Sequence, residues 1–173
     1  IEGGCVCCEL SDDLLVTLQG LREKVGPDRV VIETSGVALP FDTQLNFWRE
    51  PVCRWIGDDM AVVVANAEQL AEGRDLEGTF TDQVTSADLI ILNKIDLLDA
   101  EGVELAQRRL REIEPEAPIV LARQGDIPMD LLFLPEATES SGPDRTGPRP
   151  EPRPHSHEEF VTEVWSVPQG IAI

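Results

Sequence analysis

Cys5, Cys7 and Cys8 put three soft sulfur donors within four consecutive positions. Such a set suits zinc or another thiophilic divalent ion, or Cu(I). Three thiolates leave a tetrahedral ion one ligand short, a place that water, an outside side chain or an acceptor protein could fill, whereas purely structural zinc sites close with four protein ligands. Gly3 and Gly4 allow the tight backbone turn that would let the sulfurs converge. The competing reading is a set of buried or redox-active thiols, although adjacent Cys7 and Cys8 would strain as a disulfide. Cys53 lies between Trp48 and Trp55 and reads as a small core residue.

A second group is Asn93-Lys94-Ile95-Asp96. A carboxylate at Asp96 can accept hydrogen bonds from both N1–H and the exocyclic amine of guanine, whereas adenine presents an acceptor at N1. An acid facing that acceptor would lose its partner, at roughly 1 to 3 kcal/mol. The stem of Lys94 can lie flat over a base, and the Asn93 amide can tie its loop to a neighbour. A solvated turn is the competing reading. Glu33 and Gly36 form a third group, an acid followed three residues later by a glycine. In phosphate-handling folds an acid here reaches Mg²⁺ or a water, and the glycine lets an amide approach the terminal phosphate. A partly exposed structural Glu would look the same. His155 and His157 could hold a metal loosely but read better as part of a solvated linker.

These residues need elements to position them. Ser11 with Asp12 and Asp13 predicts a helix cap, followed by Leu14, Leu15, Leu18, Leu21 and Val25 at helical spacing until Gly26-Pro27 ends the run. Val30-Val31-Ile32 predicts a short parallel strand covered on both faces, with Glu33 at its carboxyl edge. Further strands are predicted at 60–65, 89–92 and 119–121, with helices near 80–85 and over 101–113. The alternation predicts an α/β fold, a mostly parallel sheet flanked by helices, whose ligands lie at the carboxyl ends of the strands. Asn93 follows the 89–92 strand directly, so its group belongs at that crest.

A chain of 173 residues with 42% apolar content is sized for one cored domain. From Pro135 the composition turns to Pro, Glu, Ser, Gly and Arg, which predicts three parts: a layered α/β domain over 1–134, a linker over 135–159, and at 160–173 the first strand of a second domain. A net charge of −19 argues against nucleic acid or an anionic membrane as the main partner. No stretch approaches the roughly 20 apolar residues of a membrane span, and no signal peptide is read, so the expected location is the cytoplasm. The chain opens at Ile1 rather than Met, which predicts a natural start upstream.

Taken in order, Gly3-Gly-Cys-Val-Cys-Cys8, Glu33-Thr-Ser-Gly-Val-Ala-Leu-Pro40 and Gln83-Val-Thr-Ser-Ala-Asp-Leu-Ile-Ile-Leu-Asn-Lys-Ile-Asp-Leu97 resemble the CobW-type metallochaperone GTPases, P-loop proteins of the SIMIBI class. The resemblance implies a GTPase that carries zinc or cobalt and uses its nucleotide state, GTP with Mg²⁺ or GDP, to deliver the metal to a metalloprotein client. It implies that 1–134 is a nucleotide-binding domain and that 160–173 begins a small second α+β domain, with metal ligation by Cys5, Cys7 and Cys8, a Walker-B-like role for Glu33 and Gly36, guanine recognition by Asn93, Lys94 and Asp96, and a loop closing over the base at Gln124 and Gly125. Clients could be zinc enzymes, cobalamin assembly or nitrile hydratase maturation, and self-association stays open.

The sequence also departs from that family. Its phosphate loop, Gly-x-x-x-x-Gly-Lys-Ser/Thr, does not occur: the two lysines, Lys24 and Lys94, precede Val25 and Ile95. These 173 residues alone are therefore expected to bind metal but to hold GTP weakly, and without a first central strand the neighbouring strand's edge and apolar face are expected to stand exposed. Asn66 stands where relatives often have Asp, and the linker is poor in histidine. The rival from another class is a metal-buffering or thiol-redox module without nucleotide chemistry.

Overall fold

A computed structural model describes residues 6–133, with side chains from residue 12 onward. The linker and second-domain strand expected beyond Pro135, with His155 and His157, lie outside the described residues. So does Cys5.

Helix α1 runs Val6–Lys24, so it begins a turn and a half before the cap expected at Ser11. A capping residue starts a helix only if the chain before it leaves helical geometry. No glycine or proline stands between Cys5 and Ser11 to force that. Asp12 instead reaches Arg49 at 2.5 Å. The helix ends as expected: Val25 and Gly26 N–H both donate to the Leu21 carbonyl at 2.9 and 3.0 Å, and Gly26 takes the left-handed φ of 60° that glycine permits. Leu15 and Leu18 face inward onto Phe47 and Val52, with Ile32, Trp55 and Ile56 packed around them. The segment 40–54 that carries Phe47 and Val52 is a short helix α2, Pro40–Gln44, and two 3₁₀ turns, Leu45–Trp48 and Val52–Arg54.

Among the described residues the sheet has three parallel strands in the order β1 (Val62–Asn66), β2 (Leu89–Asn93), β3 (Ile119–Leu121). The strand expected at Val30-Val31-Ile32 is not formed, and Glu33 therefore does not stand at a strand's edge. Val31 is 78% exposed, while Ile32 packs against the α1 cluster. β-branched residues favour a strand only where a neighbour supplies the ladder, and among the described residues the outer edge of β1 has no partner strand. Val64, on β1, is 63% exposed, in line with the uncovered face expected from the sequence.

The other face of the sheet is covered. Val63, Ala65, Ile90 and Leu92 pack on α3 (Ala67–Glu72), α4 (Thr79–Val84) and α5 (Ala100–Ile113), with Leu70, Val84, Ala106 and Leu110 wholly buried between them. α5 begins where Asp99 accepts the Gly102 N–H at 2.8 Å. α3 ends at Gly73, φ 71°, beneath Arg109 of α5, which donates to the carbonyls of Leu70 and Ala71 at 2.7 Å each. Charged donors on open helix-end carbonyls each contribute about 1.5 to 3 kcal/mol. Arg109→Ala is expected to destabilise the chain by about 3 kcal/mol, the lower end for two such bonds, read as a lower urea midpoint at unchanged m. A midpoint equal to wild type would show that water replaces both bonds at no loss. No helix among the described residues is long and apolar enough to cross a membrane.

Candidate functional site

β2 is the most enclosed strand. Leu89 to Leu92 are buried, and Asn93 at its carboxyl end is the first residue to emerge. A continuous apolar run ending in a polar residue does this by partition alone: each buried side chain gains about 1.5 to 3 kcal/mol, and the amide stays where it can find a partner. Its partner is the Gly125 N–H, which donates to Asn93 Oδ1 at 3.0 Å across 32 residues. Lys94 then takes φ 64°, and Ile95–Leu97 forms a single 3₁₀ turn carrying Asp96, exposed, at the crest.

The loop after β3 is held to the same point. Ala122 N–H donates to Leu92 O at 2.9 Å, and Ile95 N–H donates to Ala122 O at 3.3 Å. Arg123 to Asp126 then makes a tight turn, closed by Asp126 N–H on Arg123 O at 2.9 Å, whose central residues Gln124 and Gly125 have φ 53° and 75°. Positive φ at both central positions is the type I′ geometry, which glycine and asparagine favour and glutamine does not. Lys94 and Gln124 are thus two left-handed non-glycine residues on adjacent loops of one crest, and such conformations cost of the order of 1 to 3 kcal/mol each. Asp75, φ 50°, shares the conformation between α3 and α4.

Asn93, Lys94, Asp96, Gln124 and Gly125 are therefore brought together. What the crest offers is an exposed carboxylate, an exposed lysine and backbone held open by one side-chain amide, a combination able to grip a flat polar ring edge-on. Asn66 ends β1 in register with Asn93. Its Oδ1 accepts the Glu68 N–H at 3.1 Å, so it caps α3. That local duty accounts for an Asn here as well as an Asp would.

Glu33 and Gly36 lie on the irregular segment between α1 and α2, both exposed. A turn holds Gly36, with Ala38 N–H donating to Ser35 O at 3.0 Å. Nothing lies within 4 Å of where a Cβ on Gly36 would stand, and its φ is not left-handed. The fold itself thus makes no demand for glycine there. The segment reaches the sheet through Gln83 of α4, whose Nε2 donates to Gly36 O at 2.8 Å and Ala38 O at 2.9 Å. Gln83 stood inside a recognised motif without an assigned role. Its signal was weak, one half-buried polar residue beside the buried Val84 on a short helix.

The proposed metal ligands are not described as a site. Cys7 and Cys8 appear only as backbone of α1, and Cys5 not at all. Among the described residues no group of His, Cys, Asp and Glu could hold a metal ion. Cys53 is half-buried in the Val52–Arg54 turn, beside the α1 cluster.

Comparison with known proteins adds to this geometry. Residues 1–121 match the model of the CobW/HypB/UreG nucleotide-binding domain. The zinc chaperone CobW of Sinorhizobium sp is 30% identical over 199 aligned positions, covering 96% of this chain and 56% of that protein. The zinc chaperone YjiA of Escherichia coli (strain K12) is 34% identical, covering 77% of this chain and 43% of that protein. The zinc-regulated GTPase metalloprotein activator 1 of Dictyostelium discoideum is 27% identical, covering 77% and 33%. The chain thus spans about half or less of these relatives' length. No solved structure gives a significant match.

Proposed function

The chain belongs to the CobW/HypB/UreG nucleotide-binding family, and from that membership we propose that the whole protein is a GTP-dependent zinc chaperone. It binds guanine nucleotide at the crest of its parallel sheet and passes zinc to a metalloprotein client. The bond from Gly125 N–H to Asn93 Oδ1 at 3.0 Å is the observation that carries this reading, because it joins the two loops that a base would enter between.

Asp96 reads the guanine edge through its two carboxylate oxygens, and Lys94 covers the ring. The turn at Gln124 and Gly125 closes the opposite side. Zinc is the cargo rather than a resident cofactor. Cys5, Cys7 and Cys8 supply its thiolate ligands and leave the fourth position for the acceptor, so transfer begins by ligand exchange. The Mg²⁺ that accompanies GTP neutralises charge on the phosphates when bound. The exposed Glu33, a hard oxygen donor, suits it directly or through water. Gly36 offers a backbone N–H to the terminal phosphate where no side chain would obstruct it, in line with the open space about its Cα. GTP hydrolysis then acts as a switch, altering the Glu33 to Gly36 segment when the terminal phosphate leaves. The names of relatives that call them zinc chaperones and zinc-regulated GTPase activators support this reading.

A titration with fluorescent GDP and ADP on the whole protein tests it. GDP is expected to bind at least 100-fold more tightly, since an adenine ring leaves Asp96 facing an acceptor. Equal affinities would overturn the guanine reading, and binding of neither nucleotide would favour a metal-buffering or thiol-redox module.

A further inference from the structure

We propose that Gln83 is the positioning residue that sets where the Gly36 peptide stands relative to the terminal phosphate. The inference rests on the GTP reading above and goes beyond it, because it assigns a duty to a side chain that touches neither base nor phosphate. A carboxamide nitrogen carries two hydrogens, and here both are spent on one short stretch of backbone, at Gly36 O (2.8 Å) and Ala38 O (2.9 Å). That stretch has little else to hold it. Val31 and Val37 are 78% and 49% exposed, and no strand forms across 30–39.

Gln83 itself stands on a fixed base. Val84, the next residue, is fully buried in the sheet core. The last turn of α4 is tied down by Thr85 Oγ1 donating to Thr81 O at 2.9 Å and by Ser86 Oγ donating to Asp82 O at 2.9 Å. Asp88, just beyond, accepts the Ala61 N–H at 2.7 Å, so the entry to β2 is locked to the entry to β1. Gly36 therefore hangs from the same helix-strand unit whose far end presents Asn93. A displacement of the Gly36 peptide toward a phosphate must either break two hydrogen bonds or carry α4 with it. The first path makes the segment a two-position element, and the second transmits strain along β2 to the base-reading loops.

The side-chain type fits the task. Glutamate has the same shape, but when ionised it accepts only, and it would set a negative carboxylate against two carbonyl oxygens. Gln83→Glu thus reverses the interaction without changing the volume, and Gln83→Ala removes it.

The experiment measures GDP affinity, GTP affinity and single-turnover GTP hydrolysis in the whole protein for wild type and both variants. Amide hydrogen exchange across residues 36–39 is followed in parallel. The expected result is hydrolysis slowed at least tenfold and GTP affinity lowered several-fold, with GDP affinity within twofold of wild type. Exchange at 36–39 is faster in both variants, and the Glu variant is at least as impaired as Ala. Equal loss of GDP and GTP affinity with unchanged hydrolysis of bound GTP would overturn the assignment and leave a plain structural tie. Unaltered exchange would overturn the tie itself. Failure of the GTP reading is visible separately, as a wild-type protein that binds neither nucleotide.

Discussion

Asp96→Asn is expected to cost the whole protein about 100-fold in GTP affinity and to let it bind xanthine nucleotides. The carboxylate accepts from guanine N1–H and from the exocyclic amine, and hydrogen bonds to a charged group contribute about 1.5 to 3 kcal/mol each. Exposure of the crest in the free protein puts the sum at the lower end, near 3 kcal/mol, and about 1.4 kcal/mol is a factor of ten. In the variant one oxygen becomes an NH₂, which faces the guanine amine donor to donor. Xanthine carries a carbonyl at that carbon and keeps N1–H, so the Asn amide donates to the one and accepts from the other. Competition titrations with GDP, XDP and ADP read the result directly. A variant that loses GDP without gaining XDP would mean that Asp96 supports the loop rather than reads the base. A variant that keeps GDP would put the base elsewhere.

The second large effect is at the cysteine cluster. Cys7→Ser is expected to abolish the thiolate charge-transfer band of a Co(II) titration and to weaken zinc binding by more than about 100-fold. Removal of a hydrogen-bond partner from a metal ligand already costs about 10- to 100-fold, and the substitution here removes a ligand. A serine hydroxyl is neutral at pH 7 and a far harder donor than a thiolate, so the site loses charge and softness together. Metal binding also requires the thiols to ionise, so affinity in both proteins falls as pH falls, more steeply in wild type by the extra proton it releases. An unchanged Co(II) band in the variant would remove Cys7 from the ligand set. Full zinc affinity in Cys7→Ser together with loss in Cys53→Ser would move the site to the α1 cluster.

Both predictions draw on residues visible in the sequence, though to different depths. Asp96 was legible because its strand announces itself: four consecutive apolar residues, Leu89 to Leu92, end in Asn93, and in a parallel sheet that ending defines the ligand edge. The cysteines were legible as composition and spacing only. Gln124 was indicated by resemblance, whereas its left-handed backbone and the bond that ties its turn to Asn93 are visible only in the structure. Gln83 was unreadable as a functional residue, since its two partners lie 47 and 45 residues away and are main-chain atoms with no identity in a sequence.

Strands β1, β2 and β3, helices α4 and α5 and the end of α1 at Gly26 follow from the order of residues to within a residue or two, and with them the parallel α/β class. Those signals are local: apolar runs of strand length and stripes at helical spacing, each decided by neighbours along the chain. Other features were not readable in this way. Val30-Val31-Ile32 has as much strand propensity as β1 does, yet it stays irregular because, among the described residues, no strand lies beside it to complete a ladder. α1 runs back past Ser11 to Val6, since nothing between Cys5 and Ser11 breaks a helix and the cap signal acts only where the preceding chain departs from helical geometry. Gly36 and Ala38 accept hydrogen bonds from a glutamine on another element, and partners of that kind are chosen by proximity in space, which the order of residues does not encode.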